Sequence, residues 1–346
     1  MTQTNTVTIA IDAMGGDIGL DSTLAAAQIA QQQHSALHLL LVGDEQAIQT
    51  HALFAQLDKN RCEILHSSQI VEMDELPANV LRHKNDSSMW RTIEMVRDGR
   101  AQACVSAGNT GALMASARYI LKMLPRISRP AICATLPAMH GHVHCLDLGA
   151  NVDVKPEQLE QFAIMGSELS KALDNNPQPT VGLLNIGEEA IKGNDTVKEA
   201  GKLLAQAPIN YIGNIEGNDI FLKQGLNVVV CDGFVGNVAL KSVEGIAKFI
   251  QLSLEREYKR NLLTKLAALC SLPILKKLKG TMDPRIYNGA MLLGLQGLVV
   301  KSHGNADAFA FANAISRAYL AASNGILERI RTQLTLLPSL EEEKPA

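Results

Sequence analysis

Short apolar runs alternate with helix-length amphipathic stretches almost from one end of this 346-residue chain to the other. "VTIAID", "LHLLLVG", "CEILHS", "QACVSAG", "AICATLP", "VHCLDLG", "TVGLLNIG", "INYIGNI", "LNVVVCDG" and "GLVVKSHG" read as strands, with helices in the gaps, for example over 156–174 and 305–330. Alternation of this kind builds βαβ units, and strands apolar on both faces belong in a parallel sheet covered by helices on both sides. A hydrophobic fraction of 47% with only 4% aromatic residues suits a core of Ala, Leu, Ile and Val packed in that way. The pattern predicts a three-layer α/β fold with a largely parallel sheet. It predicts a single domain over residues 1–334 and a disordered tail over 335–346, where "SLEEEKPA" lies.

Residues 255–283 break the alternation, with no glycine before Gly280. Arg256, Lys259, Arg260, Lys265, Lys276, Lys277 and Lys279 outnumber Glu255, Glu257 and Asp283 there, around a centre of leucines. This reads as an inserted basic amphipathic helical hairpin, broken at Pro273. Such a hairpin suits a bilayer interface or a dimer contact with a solvated basic face.

The net charge of −3 predicts no general affinity for nucleic acid. No basic region precedes the first apolar run, and no uncharged run approaches the ~18 residues of a membrane span, so a cytoplasmic protein is expected. Cys62, Cys104, Cys133, Cys145, Cys231 and Cys270 form no CxxC pair and read as reduced and buried.

In open parallel sheets, ligands sit beyond the carboxyl ends of the strands. Here those ends share a vocabulary of Gly, Asn and Asp. "IDAMGGD" places Asp12 after one strand, "SAGNTGA" places Asn109, Thr110 and Gly111 after another, and "DLGANVD" places Asp147 and Asn151 after a third. "NIGEEAIKGND" and "CDGFVGN" follow two more. Turns that lead into helices present unpaired N–H groups, so their convergence predicts an anion site. "RHKNDSSMW" adds basic residues beside a helix start, with Asp86, Ser87 and Ser88 as cap candidates and Lys84 or Ser88 as a phosphate contact. GxGxxG, P-loop, GxSxG and HExxH signatures are absent, so no covalent protein intermediate has an obvious carrier. His140, His142 and His144 in "HGHVH" have a spacing that can ligate zinc, but no fourth ligand stands out, and they read better as the polar face of an edge strand.

"IAIDAMGGD", "HKNDSSM", "VSAGNTGALMA", "LDLGANVD", "IGEEAIKGND" and "CDGFVGNVALK", in this order and spacing, resemble bacterial phosphate acyltransferases, the acyl-acyl-carrier-protein:phosphate acyltransferases of phospholipid synthesis. The resemblance implies the architecture of phosphotransacetylases and isocitrate/isopropylmalate dehydrogenases, a homodimer, and acyl transfer from acyl carrier protein to inorganic phosphate without metal or cofactor. Phosphate would itself be the nucleophile. The resemblance further implies catalytic roles for Lys192 and Asn237, the latter at a helix start, whose bland readings are a solvated lysine and an N-cap. The residues themselves place phosphate on the Asn109-Thr110-Gly111 turn with Lys84 and Ser88, while Asp12, Asp147 and Asn151 bind substrate or brace the loops. The resemblance also implies delivery of acyl phosphate to a membrane-bound glycerol-3-phosphate acyltransferase, and so peripheral membrane association through residues 255–283. Two other readings share the pattern: an isopropylmalate-type NAD-dependent dehydrogenase, which would need an arginine cluster not seen here, and a non-enzymatic acyl-phosphate or nucleotide sensor.

Overall fold

The computed structural model describes residues 6–281 and 283–336, the side chains of 278, 279 and 281 aside. Its strands are β1 (Val7–Asp12), β2 (Leu37–Gly43), β3 (Cys62–His66), β4 (Ala103–Ser106), β5 (Ala131–Ala138), β6 (Gly141–Leu146), β7 (Thr180–Leu184), β8 (Asn210–Ile215), β9 (Val228–Val230), β10 (Ala290–Leu293) and β11 (Leu298–Lys301). The helices are α1 (Leu20–Gln33), α2 (Glu45–Thr50), α3 (Pro77–His83), α4 (Ser88–Arg97), α5 (Thr110–Leu121), α6 (Pro156–Leu173), α7 (Asp195–Leu204), α8 (Asp219–Leu222), α9 (Gly233–Tyr258), α10 (Leu262–Thr281), α11 (Ala308–Ser323) and α12 (Ile326–Thr335).

One sheet contains all eleven strands in the order β3-β2-β1-β4-β11-β10-β5-β6-β9-β7-β8. Strand pleating sends alternate residues to opposite faces, and both faces are apolar. Ile9 and Ile11 of β1 enter a core with α1, α6, α11 and α12, whereas Ala10 enters another with α4 and α5. In β9, Val228 and Val230 join the first core and Val229 a third, with Ile220 of α8 and Leu240 of α9. The three layers follow from this two-sided burial.

The strand that sequence reading misses is β10. It pairs antiparallel with both β11 and β5, and β5 pairs antiparallel with β6. These pairings make β6, β9, β7 and β8 run opposite to β1, β4 and β11. In the first half, β1 lies between β2 and β4, both parallel to it. The chain moves to one side of β1 through β2 and β3, then returns to set β4 on the other side. That reversal makes a crevice beyond the carboxyl ends of β1 and β4.

Two helix expectations shift. The helix expected over 305–330 is two helices, divided at Asn324 and Gly325, where Gly325 takes φ +62°. The hairpin turns between α9 and α10, at 259–261, and Pro273 lies inside α10 instead of breaking it. Of the tail, Thr335 closes α12, and residues 337–346 lie outside the described residues.

Candidate functional site

The loops after β1, β4 and β11 meet at backbone distance. Asp17 donates its N–H to Gly304 O at 2.8 Å, and Ser302 donates its N–H to Ser106 O at 2.9 Å. Gly16 sits at φ +91°, and a Cβ there would stand 2.9 Å from Gly304 O, so a side chain would push the loops apart. Asp12 ends β1 and is 1% exposed. Ser106 Oγ donates to its Oδ2 at 2.6 Å, and Oδ1 has no well-formed hydrogen bond. Burial raises the Asp12 carboxyl above the usual range, opposed by the hydroxyls of Ser106 and Ser88 and the amides of Met14 and Gly15.

Beside Asp12 lies a lysine that sequence reading missed. Lys301 ends β11, opposite Ser106 of β4, and its Nζ donates to Ala107 O at 3.2 Å and to Ser302 O. Burial lowers it to about 8, against the opposing pull of Asp12 and Asp17. The available signal was positional: "KSHG" follows an apolar strand, as the other polar strand ends do.

Asn109 caps α5, its Oδ1 accepting from Ala112 N at 2.9 Å while Nδ2 donates to Met73 O and Glu75 O. Thr110 and Gly111 open the helix, so their amides have no intrahelical acceptor. Gly111 faces Pro77 of α3, where a Cβ would stand 3.2 Å from the ring. Ser87 is the cap of α4; Ser88, 1% exposed, is its first residue and lies by Asp12. Lys84 is already engaged, donating to Ile70 O at 2.9 Å and standing 3.8 Å from Glu75. Thus Asp12, Ser88, Asn109, Thr110 and Gly111 gather at one crevice, with Lys84 tied to its wall through the Glu75 segment.

The other expected residues belong to the second half of the sheet. Asp147 follows β6, fully buried, and accepts from the amides of Ile132 (2.9 Å), Ala150 (3.1 Å) and Asn151 (2.7 Å) and from Asn151 Nδ2 (2.9 Å). Burial raises its carboxyl too, with those donors opposing. Asn151 also donates to Pro130 O and accepts from Gly233 N, which fastens this loop to the start of α9. A Cβ at Gly236 would overlap the Asp147 carbonyl oxygen, so glycine lets α9 lie on the loop. Asp232 caps α9, its side chain accepting from Val235 N; Asn237 is therefore a second-turn residue and not the helix start. Asn237 is exposed and faces Gly149. Lys192 is exposed on the loop between β7 and α7, its carbonyl accepting from Asn185 Nδ2 at 3.1 Å. Among the described residues, no hydrogen bond or ion pair joins the side chains of Lys192 or Asn237 to each other or to the first crevice. The halves approach along α9, where Lys241 and Glu244, paired at 2.8 Å, act electrostatically on His303 beside Lys301.

The edge-strand reading of the histidines fails, because β6 lies between β5 and β9. His142 and His144 place their Nε2 atoms 2.9 and 2.8 Å from the two oxygens of Asp174, while His140 precedes the strand. Thr135 lies 2.8 Å from His144 Nδ1, and Arg317 donates to that same hydroxyl. Against the burial that would raise it, hydrogen bonds from both histidines and Ser170 hold Asp174 well below the carboxylate range. The cysteine expectation needs a smaller correction: Cys270 is exposed and Cys62 partly so, while the other four are buried and all six are free.

The fatty acid synthesis protein family matches residues 7–329. A phosphate acyltransferase of Dichelobacter nodosus is 65% identical over 96% of this chain and 96% of its own length. One from Polaromonas naphthalenivorans is 56% identical over 95% of this chain and 90% of its own length. In fold, the chain is similar to phosphotransacetylases from Streptococcus pyogenes (TM-score 0.62, 18% identity) and Staphylococcus aureus (TM-score 0.61, 19% identity), each alignment covering 92% of this chain and 94% of the other. With a family match over nearly its whole length and relatives this similar, the chain belongs to the phosphate acyltransferases, within the fatty acid synthesis protein family.

Proposed function

We propose that this acyltransferase moves a long-chain fatty acyl group from acyl-acyl-carrier-protein to inorganic phosphate, giving acyl phosphate for phospholipid synthesis. The observation that carries the reading is a crevice rich in anion donors in which Ser106 and Cys104 are disabled as nucleophiles. Ser106 is 1% exposed and its oxygen is held between Asp12 and Gly108 N. Burial pushes the thiol of Cys104, on β4 near Asp12, far from thiolate formation. This supports the reading that the nucleophile is phosphate itself, arriving with the substrate. A phosphate oxygen attacks the thioester carbonyl carbon, the C–O bond forms, the C–S bond breaks, and the departing sulfur takes a proton to become the carrier-protein thiol. The protein's part is to orient phosphate and to donate hydrogen bonds to the developing oxyanion, roles for which Lys192 and Asn237 are suited by type and exposure.

No helix among the described residues is long and apolar enough to cross a membrane. The α9–α10 hairpin nevertheless leaves Phe249 71%, Leu262 83% and Leu263 80% exposed in one copy. This supports a homodimer contact along α9 and a reversible bilayer contact through α10, from which acyl phosphate passes to a membrane-bound glycerol-3-phosphate acyltransferase. The deciding experiment incubates the protein with long-chain acyl-acyl-carrier-protein and phosphate and follows the carrier thiol. Phosphate-dependent thiol release is expected; its absence, with metal-dependent NAD reduction instead, would overturn the reading in favour of a dehydrogenase.

A further inference from the structure

We infer that Lys301 is the phosphate-binding cation of the crevice, its ammonium contacting inorganic phosphate together with the first-turn amides of Thr110 and Gly111. The inference rests on the acyl-transfer reading for its ligand and on the geometry for its site. An ammonium has three donors, and Lys301 Nζ places two of them on main-chain carbonyls, Ala107 O and Ser302 O. Asp12 and Asp17 lie near enough to stabilise the charge, yet neither carboxylate forms an ion pair with it, which leaves one donor unassigned among the described residues. A part-buried ammonium whose nearest carboxylates make no direct ion pair with it is only partly compensated, and an anion in contact with its third donor lowers the remaining cost.

The Ala107 carbonyl that holds Nζ belongs to the turn that opens α5, so the ammonium and the orphan amides of that helix share one wall. Lys84 is the weaker candidate, since Glu75 at 3.8 Å already serves its ammonium as a counter-ion. Asp12 and Asp17 repel a fully ionised phosphate, so they favour a site of moderate affinity that releases its anion into the product.

Three proteins test the assignment: wild type, Lys301→Met and Lys301→Arg. With acyl-acyl-carrier-protein saturating, Lys301→Met should raise the phosphate KM about 30-fold, the scale of one lost charged hydrogen bond, and Lys301→Arg should restore part of it. Phosphate should raise the melting temperature of wild type but not of Lys301→Met. If Lys301→Met does not fold, the wild-type protein still decides: inorganic phosphate should slow reductive methylation of Lys301, followed by mass spectrometry, and leave Lys198 unaffected. A phosphate KM within twofold of wild type, or equal Lys301 methylation with and without phosphate, would overturn the inference. Protection of Lys301 in a wild-type protein that releases no thiol would support the site and overturn the acyl-transfer reading instead.

Discussion

Asp12 closes one strand and Asp147 follows another, both are buried, and burial raises the carboxyl of each, yet their surroundings treat them differently. Asp147 receives donors on both oxygens, three of them backbone amides. Asp12 has Ser106 on one oxygen and no well-formed bond on the other, with a part-buried lysine nearby. The first arrangement is a clamp that fixes a loop and the start of α9. The second leaves one carboxylate oxygen without a partner beside a part-buried lysine. In the Asp147 half Asn237 is exposed on α9, whose start the clamp fixes, and Lys192 is exposed on the loop after β7.

The largest effect should come from breaking the clamp. Asp147→Ala strands four donors without an acceptor, a loss of about 3–5 kcal/mol, which for a chain of this size lowers the melting temperature on the order of 10 °C. Asp12→Ala removes one well-formed hydrogen bond, from Ser106, and the weaker interactions with Ser88, Met14 and Gly15, and should cost less. Equal losses in thermal melts would erase the distinction between clamp and crevice.

Next in size is a loss of rate without a loss of fold. Lys192→Met keeps the stem and removes the charge, and Asn237→Ala removes an exposed amide. If these groups stabilise transition-state charge, each should lower turnover ~10²-fold while the melting temperature stays unchanged. Near-normal turnover in both would remove them from the mechanism and leave the Asp147 half as scaffold alone.

A smaller effect separates the crevice by pH. Lys301 is lowered to about 8 from an ordinary 10.5, so its ammonium dominates below that pH and the neutral amine above it. Asp12 and Asp17 face it, and His303 stands beside it with Lys241 and Glu244 of α9 beyond. Between pH 7 and 9 the phosphate KM of wild type should rise several-fold more than that of Lys301→Arg, whose guanidinium stays charged. Parallel profiles would mean that Lys301 keeps its proton or does not meet phosphate.

The strands were legible because each is an apolar run bounded by polar or glycine residues, a pattern local to the sequence. β10 escaped because "AMLL" owes its place to antiparallel pairing on both sides, with neighbouring β11 and with β5 far back in the sequence, in a pattern read as parallel. The gathering of Asp12, Ser88 and the Asn109 turn was legible in kind, since ends of neighbouring parallel strands share one edge. Lys301 was not, because a lysine at a strand end ordinarily projects into water, and only the closure of three glycine-bearing loops buries it. The partner of His142 and His144 was equally hidden, Asp174 standing some thirty residues on at the end of α6. Pro273 misled for a simpler reason: a proline signals a break, but on a helix whose described side chains include no buried one, the lost hydrogen bond is met by solvent.

The smallest effect on catalysis, and the sharpest contrast with both aspartates, belongs to the hairpin. Only Gly233 and Gly236 of α9 are buried, and Leu262, Leu266 and Leu269 recur on one side of α10 at helical spacing, 59–83% exposed. Exposed leucine costs little in an isolated chain but gains when it meets acyl chains, and each lysine or arginine near an anionic surface adds ~1 kcal/mol. Wild-type protein should therefore float with vesicles that contain anionic lipid, reversibly and less so in high salt. Leu269→Glu combined with Leu272→Glu places charge on that surface and should abolish flotation while thiol release from soluble acyl-acyl-carrier-protein stays within twofold of wild type. Equal flotation by both proteins, or by neither, would assign this surface to a second copy of the chain, and a shift of the double variant from dimer to monomer in sedimentation would then be expected.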